Sequence, residues 1–556
     1  MIQKNSIFPT RKAVQYIMLF AGCFAAMNVH AQRDTTKKQT IDITSAYKPV
    51  LRNAVKINFS ASQLITDTAK LVGPYSIPAQ NLFYTYQPVS LKPLALDHDP
   101  LLNLGSRYFV KLGFGNFTTP YVSAGAGFGD GKQFIANAYA DYISSKGNIK
   151  YQDYSKINIK AAGSYFTPKL EIYGGLGFEQ NEYKRYGYNH ALVYSKAAVL
   201  QRFDDISFKA GVRNKAINES GINYNPSLEL HQFTSAQKLS ETSIKVELPI
   251  DKTINDVFTF KLSGKLEYAA YSSKNVLPAN YSISNTVFQL APELVYAKPL
   301  FSIHAGVTPA WDNTKLNVLP NIYGEVKLKD KPFLIQGGFV GRYIQNSYRH
   351  LSSINPYLLP VRSQKNTKEI ELFGGIKGSL AKHFNFSAKA GIIRISDMPL
   401  FINDTTNALD TKDFFVSNDS RVNDLRIHGD VSYVNQDKLT ITGGLTFNGY
   451  SGMQNNARAW GTVPLEMEAS VRWWAFKQIL LKADFKAFSG GPYLQKGNID
   501  KSTGGGADLN AGMEFALTKK ISAWMDVNNI LNNKYERWHS YEVYGLNLLG
   551  GVLIKF

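Results

Sequence analysis

The chain has 556 residues, 44% hydrophobic, 13% aromatic and 19% charged, with 62 Lys+Arg against 43 Asp+Glu, a formal charge of +19 and one Cys. So modest a charge content, beside 32 Tyr, 33 Phe and 43 Gly, excludes disorder and coiled coil and suits strands joined by tight turns. The basic excess is spread along the whole chain rather than gathered in a patch, so no nucleic-acid partner is expected.

Residues 1–31 read as an export signal. Lys4, Arg11 and Lys12 supply the positive start, Ala13–Met27 is apolar except for Gln15, and Val29-His30-Ala31 resembles a cleavage site. Phe20-Ala21-Gly22-Cys23 also has a faint likeness to a lipoprotein box, with Phe20 where Leu is expected. Cleavage after Ala31 removes three cations and the single Cys, which leaves no disulfide or thiolate metal site. No later stretch is apolar for long enough to make a spanning helix.

Residues 32–105 form a leader broken by Pro49, Pro74, Pro78, Pro88, Pro93 and Pro100. Proline cannot donate to a ladder, so this segment is expected to be extended and periplasmic rather than a compact domain. Asp97-His98-Asp99 is its one tight group of potential ligands and reads as a solvated loop.

From Ser106 to Phe556 one unit recurs: about ten alternating residues and then a turn. Phe258, Phe260, Leu262, Gly264, Leu266 and Tyr268 share one face, against Thr259, Lys261, Ser263, Lys265 and Glu267 on the other. Ile479–Phe485 and Leu509–Leu517 repeat the pattern. Side chains on a strand point alternately to opposite faces, so each unit has an apolar and a polar face. Runs of about nine to eleven residues suit a tilted strand crossing a bilayer better than a sandwich strand of about five or six.

Short connections at Asp130-Gly131-Lys132, Thr167-Pro168-Lys169, Arg202–Asp205, Lys329-Asp330-Lys331 and Thr518-Lys519-Lys520 alternate with long ones at Asn181–His190, Gln345–Lys368, Asp397–Val422, Ser451–Trp460 and Ser489–Gly506. The predicted fold is all-β, a transmembrane antiparallel barrel of about 22 strands with periplasmic turns and extracellular loops. That number requires Pro226–Phe233 and Ser243–Leu248 to be parts of one crossing, or one of them not to span. Lys261, Lys265, Lys389, Lys482 and Lys486 fall on predicted lumen faces, where they would attract anions. Tyr165, Tyr173, Trp473, Trp474 and Trp524 suit aromatic girdles at the bilayer interfaces.

Asp526-Val527-Asn528-Asn529-Ile530-Leu531-Asn532-Asn533-Lys534-Tyr535 resembles the penultimate-strand motif of TonB-dependent outer-membrane receptors, and Tyr544–Phe556 resembles their final strand, with Leu546 replacing the usual Arg. Gly551, Ile554 and Phe556 are similar to the signal read by the barrel-assembly machinery, although Leu549 departs from it. Thr40-Ile41-Asp42-Ile43-Thr44-Ser45-Ala46 has the look of the family's TonB-contacting box. The resemblance implies uptake across the outer membrane, with TonB as partner. The short leader departs from it, because it leaves no room for the family's plug domain.

No G-x-S-x-G elbow, phosphate loop or H-E-x-x-H helix is present, so no catalytic, cofactor or metal residues are expected. Two functions remain open: a plugless pore or uptake component for a small solute, and a non-transporting subunit of an outer-membrane assembly or secretion complex. Lipid, the barrel-assembly machinery, and TonB or another outer-membrane protein are the expected partners.

Overall fold

The computed structural model describes residues 107–556, apart from 216–219, 274–279, 330, 381–382, 405–408, 436–437 and 496–498. The predicted signal, the leader, Thr40–Ala46 and Asp97-His98-Asp99 lie outside the described residues.

The chain forms a closed antiparallel barrel of 22 strands. Each strand pairs with its sequence neighbours, and the first, Tyr108–Gly115, also pairs with the last, Asn547–Lys555, with Gly113 opposite Gly551. Closure satisfies every ladder and leaves no edge, as a strand fold in hydrocarbon requires. The sheet contains 23 paired segments because Ile222–Tyr224 and Ser227–Ser235 share one crossing. Pro226 interrupts it, and the Asn214 side chain bonds Ile222 O (3.2 Å) and Tyr224 N (2.8 Å) beside the gap.

Alternation sorts the side chains as the sequence suggests. Val122, Phe128, Ile159, Leu176, Ile392 and Met513 are exposed on the outer face, whereas Ser123 and Asn510 on the opposite face are buried. The first described residue, Arg107, and the C-terminal Phe556 lie at the end of the barrel with short turns. The long connections gather at the other end.

The number of strands agrees with the sequence, but their partition does not. Arg202–Asp205 is no turn. It lies inside the strand Leu200–Asn214, where Arg202 pairs with Glu182 and Asp205 with Glu179. The true connection is 185–199, which includes the short helix Lys196–Val199. Accordingly Ser227–Ser235 and Leu239–Thr253 are two separate crossings, not one. The cause is physical: these strands run 15 residues, so their polar upper ends stand clear of the apolar belt and mimic a turn.

The principal hydrophobic core is not in the strand wall but at the long-loop end. It joins Tyr186, Tyr348, Leu351, Leu358, Phe414, Trp538 and Tyr541 from the loops to Phe203, Phe233, Leu239 and Tyr271 on the wall.

Candidate functional site

Two features carry the chemistry: the inward face of the wall and the packed loops over one mouth.

Lys261, Lys265, Lys389, Lys482 and Lys486 all sit on the face opposite the exposed apolar one, but not as a free positive lining. Lys265 Nζ is 2.9 Å from Glu267, and Lys389 Nζ is 2.7 Å from Glu371. Lys261 stands in register between Glu293 and Asp251, and Lys486 between Glu468 and Asp508. Lys482 is only 6% exposed and lies opposite Arg472, which pairs with Asp484 at 3.0 Å. Further inward pairs include Lys377–Glu325 (2.7 Å), Arg426–Asp424 (3.0 Å) and Lys555–Glu514 (3.1 Å). Charges on strands this close neutralise one another, so the attraction for anions falls well short of what a row of lysines alone suggests.

The aromatic residues divide between the faces. Tyr165 and Trp473 are exposed on the outer face, as an interfacial girdle requires. Tyr173 points inward, its hydroxyl donating to Asn225 at 2.8 Å, and Trp474 shares the face of Arg472. Trp524 is also inward and 4% exposed. Its indole donates to Leu112 O at 3.2 Å, and Lys111 Nζ lies 4.0 Å from its ring centre. Alternation does carry this once the flanking residues are read with the ring: Trp524 shares its face with Ser522 and Asp526, Trp474 with Arg472, and Tyr173 with Glu171. Leu549 packs beside Trp524 and Leu553, which explains an apolar residue where a wet lumen would favour a polar one.

The Asn-rich motif braces the base of the last loop. Asn529 and Asn532 both have φ of 49°, the left-handed region that Asn tolerates best after Gly. Asn529 N donates to Asn510 Oδ1 (2.9 Å), its side chain donates to Asn533 O (2.9 Å) and Tyr544 O (2.8 Å), and Tyr535 OH donates to Asp508 (2.9 Å). At the seam Gly551 faces inward, while Ile554 and Phe556 are exposed outside. The Phe556 ring stacks on Tyr108 at 5.8 Å.

Three loops, 185–199, 345–366 and 529–546, leave the rim roughly a third of its circumference apart and meet one another. Each contributes a tyrosine. Tyr357 and Tyr541 stack with ring centres 3.5 Å apart, and Tyr186 meets Tyr541 edge-on at 4.9 Å. Segments anchored that far apart can touch only over the lumen, so the tyrosines cap the mouth. Tyr186 OH donates to Glu542 O (2.8 Å), and Tyr541 OH to Lys412 O (2.6 Å). A Cβ on Gly187 would lie 2.5 Å from the Tyr541 ring, so only glycine lets the backbone pass so near. Burial holds all three phenols above the ordinary tyrosine range.

The loop 397–421, rooted nearly opposite 185–199, clasps it. Tyr188 and Asp410 form an antiparallel bridge, Asn189 N donates to Leu409 O (2.7 Å), and Arg185 pairs with Asp413 at 2.6 Å. Lys412 reaches both Asp410 and Asp413 at 2.8 Å. Burial pulls the Lys412 pKa down, but those two carboxylates outweigh it and hold it above the usual lysine value.

The helix Tyr348–Ile354 of loop 345–366 packs on the inner wall. Glu241, fully buried at the end of its strand, accepts from Tyr348 N (2.6 Å), Arg349 N (3.2 Å) and Gln364 Nε2 (3.4 Å). Sequence reasoning missed this cap, although the tyrosines crowded into long inter-strand segments, such as Tyr186, Tyr188 and Tyr194, were a usable sign.

Among the described residues no group of three or more His, Cys, Asp or Glu is placed to hold a metal ion.

No protein-family model matches the chain, and no curated protein sequence matches it. Its fold does match solved structures. The FrpB iron transporter from Neisseria meningitidis has a TM-score of 0.63 at 11% identity over 82% of each chain. The siderophore receptor PirA from Acinetobacter baumannii gives 0.61 at 9% identity over 81% of this chain and 80% of its own. The ferric enterobactin receptor PfeA from Pseudomonas aeruginosa gives 0.59 at 11% identity over 81% of each. At such identities the likeness is one of fold alone: a closed 22-strand antiparallel barrel, as in these outer-membrane proteins.

Proposed function

We propose that the protein is an outer-membrane uptake barrel for a small solute, exported by residues 1–31 and inserted by the barrel-assembly machinery. The observation that carries this is the closed 22-strand barrel with an apolar outer belt and a polar inner face, a fold shared with an iron transporter and siderophore receptors. Its short turns face the periplasm and its capped mouth faces outward. Residues 32–105 serve as a periplasmic leader, and Thr40–Ala46 is the segment that meets TonB. No catalytic step is assigned.

A second assignment has its own support. A mouth sealed by a tyrosine core, above a lumen whose lysines face carboxylates, also suits a non-transporting subunit of an outer-membrane assembly, with the loops as docking surface. Two measurements separate them. Deleting the gene should abolish uptake or growth on one nutrient, with loss restored by the intact chain but not by one lacking Thr40–Ala46. Unchanged growth on every nutrient, with a stoichiometric partner retained through detergent purification, would instead establish the assembly role.

A further inference from the structure

We propose that the three-loop cap is the gate of this barrel, closed at rest and held by two latches: the Glu241 carboxylate on the helix Tyr348–Ile354, and the Arg185–Asp413 clasp between loops from opposite walls. The inference rests on the uptake assignment above, since a gate needs a pore. Ordinary surface loops lack a core of their own. These share one with the inner wall, and the stacked tyrosines close the space between the three anchor points.

The latches differ from the rest of the cap in kind. Apolar packing tolerates sliding, whereas Glu241 holds two consecutive backbone N–H groups and a Gln364 amide in one geometry. The helix has its apolar residues Tyr348, Leu351 and Ile354 on the wall side, so freeing Glu241 releases it as a unit. Arg185 likewise ties the first loop to Asp413 and donates to its own Ala198 O (3.2 Å), which keeps that loop folded over the mouth. Removing either set of charge-assisted bonds should shift the closed-to-open ratio by about ten- to a hundredfold.

The experiment uses the full chain with Cys23→Ser, reconstituted in planar bilayers after its folded state is confirmed by fast migration on unheated gels. The parent protein should stay shut for most of the record. Glu241→Ala and Arg185→Ala should each raise the open fraction by the factor above. Adding Tyr188→Cys with Asp410→Cys to Arg185→Ala supplies a staple, because residues paired across a β-bridge approach closely enough for a disulfide. Oxidised, that protein should be shut, and dithiothreitol should open it. A fifth chain, with the three loops replaced by short Gly-Ser turns, should conduct permanently.

A loop-trimmed barrel that stays silent overturns the gate and removes the pore from the uptake assignment as well. A loop-trimmed barrel that conducts, beside latch variants and a reduced staple as quiet as the parent, overturns the latches while leaving the uptake assignment intact. A parent that conducts as freely as the trimmed barrel overturns the gate alone.

Discussion

Gly551 offers the sharpest test, because assembly recognition and packing make different demands on it. It faces Gly113 across the closing seam, and the ring of Trp524, its register partner on the preceding strand, lies against Gly113. A Cβ at Gly551 would overlap the Leu112 carbonyl oxygen and stand 2.7 Å from Gly113 Cα. Both are backbone atoms, so no rotamer change relieves the clash. The first strand must move away from the last. Overpacking of this kind costs about 1–3 kcal/mol, and displacing Leu112 O also breaks the Trp524 indole bond, a further ~1 kcal/mol. Gly551→Ala should therefore destabilise the barrel by about 2–4 kcal/mol. Gly374→Ala is the control: its Cβ would meet nothing within 4 Å, and replacing a strand glycine by alanine should help by about 0.5–1 kcal/mol. The assay is refolding into detergent micelles without any cellular machinery, followed by urea unfolding and heat-dependent gel mobility. Opposite shifts in midpoint are expected. If Gly551→Ala refolds with unchanged stability and fails only in cells, the seam argument is wrong and recognition by the assembly machinery explains the glycine.

Tyr541→Ala should remove about 3–5 kcal/mol of local packing, and protease should then cut loops 529–546 and 345–366 while the barrel keeps its fast gel mobility. Lys389→Met should destabilise by about 3–5 kcal/mol, because Glu371, with a side chain 5% exposed, loses its counter-charge. The double variant Lys389→Met, Glu371→Leu should recover most of that loss in urea unfolding. Once the loops are removed, the pore should show a reversal potential near zero in a salt gradient, and strong anion preference would mean the inward ion pairs are not formed. Burial in the cap, with Arg349 beside it, pushes His350 down to about 4. A group depressed in the folded state adds stability above its ordinary pKa of about 6.5 and loses it as pH falls toward 4, so loop 345–366 should become protease-sensitive across that window. Replacing His350 by Asn should flatten the profile.

Much of this protein is legible without coordinates. Alternation along Phe258–Tyr268 and Leu509–Leu517 follows directly from the strand period, and a chain that repeats it for some 450 residues in runs of bilayer length has few folds other than a closed barrel open to it. The placement of the lumen lysines on the inward face comes from the same period. What alternation cannot carry is anything set by a neighbour distant in sequence. Whether Arg202–Asp205 turns or continues depends on the partner strand Leu170–Lys184, because polar residues suit a turn and the wet end of a long strand equally well. Where the inward Trp524 ring comes to rest depends on the space left by Gly113 on a strand some 400 residues away. The pairing of Lys389 with Glu371 depends on register between strands, as does the neutralisation it brings.

The cap is the extreme case. Its tyrosines come from three loops with no shared period, and their meeting depends on barrel circumference, loop reach and the geometry of the opposite wall. The sequence alone determined the barrel, its two faces and its approximate strand number, because those follow from local periodicity and the need to satisfy every backbone group in hydrocarbon. That three loops meet over the mouth is settled by tertiary contacts alone, since these segments approach one another once the circle is complete.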